Sequence, residues 1–181
     1  MTEAARPAAT TVAPPVTIRP YRPLDHRACR DLWAELTRTR RALYDTSSVD
    51  PDPGAGFEEY LTRLDIAGIW VADHAEDGVV GLVGLVLDGP RTGDVEPVVV
   101  AEPLRDRGIG RMMLQHVADE ARRRGMTQLS VSPDSRNVEA IRSLHASGYD
   151  VLSSLTLTVD LAPRGHSWQD GLEVHGLRFS Y

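Results

Sequence analysis

The stretch Val98-Val-Val-Ala-Glu-Pro-Leu-Arg-Asp-Arg-Gly-Ile-Gly-Arg111 decides the fold. An uninterrupted run of valines reads as a strand buried on both faces. A Gly-containing turn then opens a helix over Gly110–Arg124, in which Met113, Leu114, Val117, Ala118 and Ala121 form one apolar stripe. Arg122-Arg-Arg124 followed by Gly125 ends it: cations suit the negative end of the helix dipole, and Gly takes a left-handed cap. The first turn of a helix leaves its N–H groups unsatisfied, and Gly108 and Gly110 place no side-chain carbon over them. With the positive end of the dipole, this is an anion site suited to phosphate. A dinucleotide fingerprint would need a third Gly where Met113 stands, and a phosphate-cradling Walker loop would need a Lys.

Working outward from that turn, Val16–Arg19 suggests a first strand, and Asp25 a cap for a helix carrying Ala28, Cys29, Leu32, Trp33 and Leu36. Phe57–Leu64 gives a second short helix. Ile69–Ala72 and Val79–Leu87 form a hairpin across Asp73–Gly78, where Asp73 and His74 read as turn residues. Gly81 and Gly84 inside its second strand predict a bulge or a close backbone approach. Asp94–Val100 is the next strand. After the strong helix come a strand over Leu129–Ser132, a helix over Asn137–Ser147 with Gly148 as its cap, a strand over Val151–Leu161 and a last one over Leu172–Tyr181. Strand–helix–strand–helix–strand in the second half argues for an α/β (α+β) fold with a mixed sheet, partly parallel, and helices on both faces.

Composition narrows the chemistry. All 20 basic residues are Arg, so lysine Schiff-base catalysis is excluded. One cysteine, Cys29, excludes a disulfide framework and any multi-cysteine metal site; no metal is expected. The net charge of −6 argues against a nucleic-acid partner. Eight Arg against five acids between Arg105 and Arg142 nevertheless leave that span at +3 and the rest of the chain at −9. A ligand with several phosphates fits there. Residues 1–15 read as a disordered tail, with neither the roughly 7–15 apolar residues of a secretory signal nor the about 18 of a membrane span. The remainder, 16–181, is expected to be one cytoplasmic domain with no membrane partner.

Arg105-x-x-Gly108-x-Gly110 after a Val-rich strand resembles the acetyl-CoA pyrophosphate loop of the GCN5-related N-acetyltransferase (GNAT) superfamily. Asn137-x-x-Ala140 and Gly148-Tyr149 resemble a second signature of that superfamily at the usual distance. The resemblance covers Asp94–Leu161 firmly, Val16–Leu87 weakly, and leaves the C-terminal extension after Leu161 unexplained.

The resemblance implies a GNAT-like fold, with the sheet splayed at the cosubstrate slot, and acetyl-CoA as cosubstrate. It implies that Val98, Val99 and Val100 run beside the pantetheine arm, that Arg105, Arg107, Gly108, Ile109, Gly110 and Arg111 hold the pyrophosphate, and that Asn137 contacts the pantetheine region, the acceptor site or simply caps its helix. Pro97 fits a break in the strand, since it lacks an N–H. The implied activity is transfer of the acetyl group to a primary amine, on a small molecule or a protein, by direct attack. An ammonium must lose a proton before it attacks. Glu96 is the candidate base, strengthened by desolvation at the edge of a partly apolar slot, with pairing to an Arg as its alternative role. A strand N–H, from Val98 or Val99, would meet the oxyanion. One position departs from the pattern: Leu144 stands where a general-acid Tyr is usual, with His145 turned about 100° away and Tyr149 reading as core. A catalytically silent acyl-CoA-binding domain is the alternative. Tyr44, Asp45, Asp65 and the Asp50–Gly56 loop are candidates for acceptor contacts, and the aromatic C-terminal residues for an added strand or a homodimer contact.

Overall fold

The computed structural model describes residues 16–44, 50–159, 161 and 170–180. The expected tail over 1–15 and the acceptor candidate Asp45 lie outside them. Four helices and seven strands are formed among the described residues: β1 Val16–Pro20, α1 His26–Ala42, α2 Gly56–Leu61, β2 Ile66–His74, β3 Gly78–Leu87, β4 Thr92–Val100, α3 Ile109–Arg123, β5 Gln128–Ser130, α4 Val138–Ala146, β6 Asp170–Val174 and β7 Leu177–Ser180. No described helix is long and apolar enough to cross a membrane.

The main sheet has the order β1-β2-β3-β4-β5. Its pairings are antiparallel until β4 meets β5, which run parallel as expected of a crossover through α3. Alternation along β3 builds two cores. Val83 and Leu85 face α3 with Val95, Met113, Leu114 and Val117. Leu82 and Val86 face the other way, with Cys29 and Leu32 of α1 and Phe57 and Tyr60 of α2. Helices therefore cover both faces.

The hairpin turn between β2 and β3 is closed by His74, whose Nδ1 accepts the amides of Glu76 and Asp77 at 3.3 and 3.2 Å. Asp25 occupies the cap position of α1, but its carboxylate bonds no helix amide. It accepts the two guanidinium nitrogens of Arg19 at 2.7 and 2.9 Å and the amide of Arg22 at 2.8 Å. The Arg19 hydrogen bonds hold that carboxyl below the usual carboxylate range, against the effect of burial.

Two expectations change. Residues 151–159 form no strand, and their apolar side chains stay exposed, Leu152 at 72% and Leu157 at 68%. Alternating apolar residues favour a strand only where a neighbour offers a ladder, and these residues find none. The last strand is a hairpin, β6 with β7, forming a small sheet of its own rather than extending the main one.

Candidate functional site

Thr92, Gly93 and Asp94 pair with Gln128, Leu129 and Ser130, and there the ladder between β4 and β5 stops. β4 continues to Val100 while β5 ends at Ser130, so the sheet opens beside Val98–Val100, as expected. Of the three valines only Val99 is fully buried; Val98 and Val100 are half-buried, because one side of the strand has lost its neighbour.

Glu96 lies on β4 just before this opening. Its peptide bond to Pro97 is cis. Its carboxylate is 53% exposed and paired with Arg63, so the desolvation expected of it is absent and the ion-pair role is realised. The Arg63 guanidinium is also held by Asp65, at 2.8 Å. Asp94 is half-buried, and its carboxyl is pushed upward, first by burial and then by the charges of Asp88 and Glu96.

At the far end of β4, the loop that the sequence offers as an anion site has a tightly turned backbone. Asp106 and Gly108 take positive φ, 60° and 82°, and Gly108 is the first cap of α3. Among the described residues, the six amides from Asp106 to Arg111 donate to no protein acceptor; the next, Met112, closes the first helical bond onto Gly108. Alternating left-handed residues turn successive N–H groups into a concavity suited to an anion. Of the arginines, Arg105 is turned away. It donates to the carbonyl of Val100 at 3.1 Å and pairs with Glu35 of α1, so it braces the loop rather than reaching over it. Arg107 and Arg111 are exposed and carry no ion pair among the described residues.

Asn137 caps α4, its Oδ1 accepting the amide of Ala140 at 3.0 Å. The capping role is met, and the side-chain amide nitrogen remains as a donor. Leu144 is buried in the core, 8% exposed, while His145 faces solvent. Tyr149 packs on the same core with its hydroxyl buried and, among the described residues, without a hydrogen-bond partner. A cavity of about 900 Å³ opens between α3, β5 and α4; Ser130, Leu144 and Tyr149 line it, and it runs along α3 from Arg111, at the end of the loop, to Arg122, without reaching Glu96.

The acidic acceptor candidates are engaged elsewhere. Asp50 pairs with Arg41 at 2.8 Å, Asp52 with Arg30, and Asp65 with Arg63. Tyr44 donates to Asp134 Oδ1 at 3.3 Å, joining α1 to the loop before α4. Tyr60 and Arg63, which grip Glu96, went unread in the sequence; their i, i+3 spacing after Gly56 was the available signal.

The model of the acetyltransferase (GNAT) family matches residues 29–149. The chain belongs to that family. No curated protein matches it by sequence. Among solved structures, an acetyltransferase from Trypanosoma brucei is similar at 19% identity and a TM-score of 0.58, over 81% of this chain and 100% of the other. The aminoglycoside N-acetyltransferase AAC(6')-Iy in complex with CoA is similar at 16% and 0.60, over 84% and 99%. A protein described as a transcriptional regulator from Bacillus halodurans is similar at 19% and 0.61, over 81% and 99%. These likenesses establish the GNAT fold. Within that fold the matched span runs from α1 through Tyr149, and so takes in the opened strands, the anion loop and the Asn137 cap.

Proposed function

We propose that this protein is an acetyl-CoA-dependent N-acetyltransferase that passes the acetyl group directly to a primary amine. The observation that carries the reading is the set of six unpaired amides from Asp106 to Arg111 at the end of a strand that has parted from its neighbour. The amides and the α3 dipole hold the pyrophosphate of acetyl-CoA, Arg107 and Arg111 add charge, and the cavity beside Arg111 gives room for the rest of the nucleotide end. The pantetheine arm lies beside Val98–Val100, and Asn137 offers its side-chain amide to it.

An acceptor ammonium gives up a proton to Glu96, directly or through water, displacing Arg63 from the carboxylate. The amine nitrogen then bonds to the thioester carbonyl carbon and the oxyanion is met by a β4 amide at Val98 or Val99; the carbon–sulfur bond breaks to release the thiolate, and the nitrogen gives its remaining extra proton to that thiolate or to water. Leu144 supplies no proton. A thiolate with a conjugate acid near 8.5 leaves tolerably without one. A covalent cysteine route is disfavoured: Cys29 is fully buried and burial pushes its thiol up to about 12.

The acceptor we infer is a small-molecule amine, supported by neighbours named for aminoglycosides. A second reading, a silent acyl-CoA binder, is favoured by Leu144 alone. An amine panel with acetyl-CoA, following thiol release, separates the two: turnover with at least one amine is expected, while binding of acetyl-CoA with no turnover on any amine supports the silent binder.

A further inference from the structure

The register of β3 against β4 breaks at one place. Val83 stands opposite Val98 and Leu85 opposite Val95, so Glu96 and Pro97 together face Gly84. Two residues against one is a β-bulge, and it takes the bulged peptide out of the ladder. The Glu96 carbonyl therefore needs another partner. Tyr60 supplies it, its hydroxyl donating to that oxygen at 2.7 Å.

Three features mark this contact as built. Tyr60 is 3% exposed, with its ring 5.2 Å from that of Trp33. Burial pushes its phenol far above the usual range, which keeps it a donor at working pH. Gly84 leaves the space: a Cβ there would lie 1.9 Å from the Tyr60 hydroxyl and 2.3 Å from the Glu96 oxygen. Arg63, one turn on from Tyr60, pairs with the carboxylate of the same glutamate. The α2 segment thus grips Glu96 at both ends, backbone and side chain.

We infer that Tyr60 is a positioning residue: its hydroxyl clamps the bulged Glu96 peptide and so fixes where the carboxylate stands at the mouth of the opened strands. This rests on the transferase reading. A peptide unit is planar, so fixing its carbonyl fixes where the Glu96 Cα lies, and the β4 backbone, which restricts rotation about the Cα–C bond, then limits where the side chain points. A base displaced by about 1 Å can cost on the order of a hundredfold in rate.

The test is a double-mutant cycle with Tyr60→Phe and Glu96→Gln, each enzyme first shown by its melting curve to be folded. Tyr60→Phe is expected to lower kcat at least tenfold in the wild-type background, to leave KM for acetyl-CoA within twofold, and to slow Glu96→Gln by less than twofold. Equal slowing in both backgrounds, or kcat within twofold of wild type, overturns the clamp. Should Tyr60→Phe not fold, Gly84→Ala enters the same cycle, since its methyl would overlap both the Tyr60 hydroxyl and the Glu96 carbonyl oxygen and so parts them. A wild type that turns over no amine overturns the transferase reading and the clamp's role with it, whereas an active wild type with an unimpaired Tyr60→Phe overturns the clamp alone.

Discussion

Asp94 of β4 and Ser130 of β5 form the last rung before the two strands part. The position leaves Asp94 half-buried near two other carboxylates, Asp88 and Glu96, which push its carboxyl upward after burial has done so. A carboxyl raised by folding favours the native state below its unfolded value, near 3.9, and that contribution is lost as pH rises through the folded value. Asp94→Asn is therefore expected to be more stable than wild type at pH 7, with the gain vanishing near pH 3. Urea melts at the two pH values check this; a loss at pH 7 would contradict it.

Asp25 carries the opposite sign. The Arg19 hydrogen bonds lower its carboxyl, so its contribution is present above about 3.9 and lost as pH falls through the folded value. Asp25→Asn should cost roughly 1.5–3 kcal/mol at pH 7, the range for hydrogen bonds to a charged group. The difference from wild type, read by urea melts across the pH range, should shrink steadily below about pH 4.

Arg63 pairs with Glu96, and under the proposed mechanism it competes with the acceptor ammonium for that carboxylate. An exposed ion pair contributes about 0.2–1 kcal/mol. Arg63→Gln is expected to lower KM for the amine by roughly that much, up to about fivefold, with KM for acetyl-CoA unchanged. Steady-state kinetics on both substrates would read it, and a raised amine KM would assign Arg63 to acceptor binding instead.

The two loop glycines should respond differently. Gly108 sits at φ +82° with nothing within 4 Å of where a methyl would stand, so its cost is backbone alone. Gly108→Ala should lose about 1–2 kcal/mol, the cost of a left-handed residue with a side chain. Gly110 is helical, and its Cβ would meet only Val100 at 3.9 Å. Gly110→Ala should stay within about 0.5 kcal/mol of wild type or gain, as helical Gly→Ala changes do. Denaturant unfolding of both variants decides.

What the sequence revealed followed from local pattern. The valines, the glycines of the loop and the stripe on α3 placed the strand, turn and helix that carry the proposed anion site, because a buried strand, a turn and an amphipathic helix each have their own signature. Gly84 announced a close approach and the structure has one, at Tyr60 and the Glu96 carbonyl. Contacts across the fold were less legible. That Arg105 turns to Glu35, 70 residues away, and that Arg63 reaches Glu96 depend on which faces α1 and α2 present to the sheet. The alternation over 151–159 promised a strand that would exist only with a partner edge.

In the proposed reaction the amides of Asp106–Arg111 hold the pyrophosphate of acetyl-CoA. Thermal melts with acetyl-CoA and, separately, with S-acetylpantetheine, the same thioester without phosphates, test it most directly. A ligand at about a hundred times its dissociation constant stabilises by roughly 2.7 kcal/mol. Acetyl-CoA is expected to raise the melting temperature clearly and S-acetylpantetheine at the same concentration to leave it nearly unmoved; no shift with acetyl-CoA, or equal shifts with both, would show that these amides do not hold the pyrophosphate.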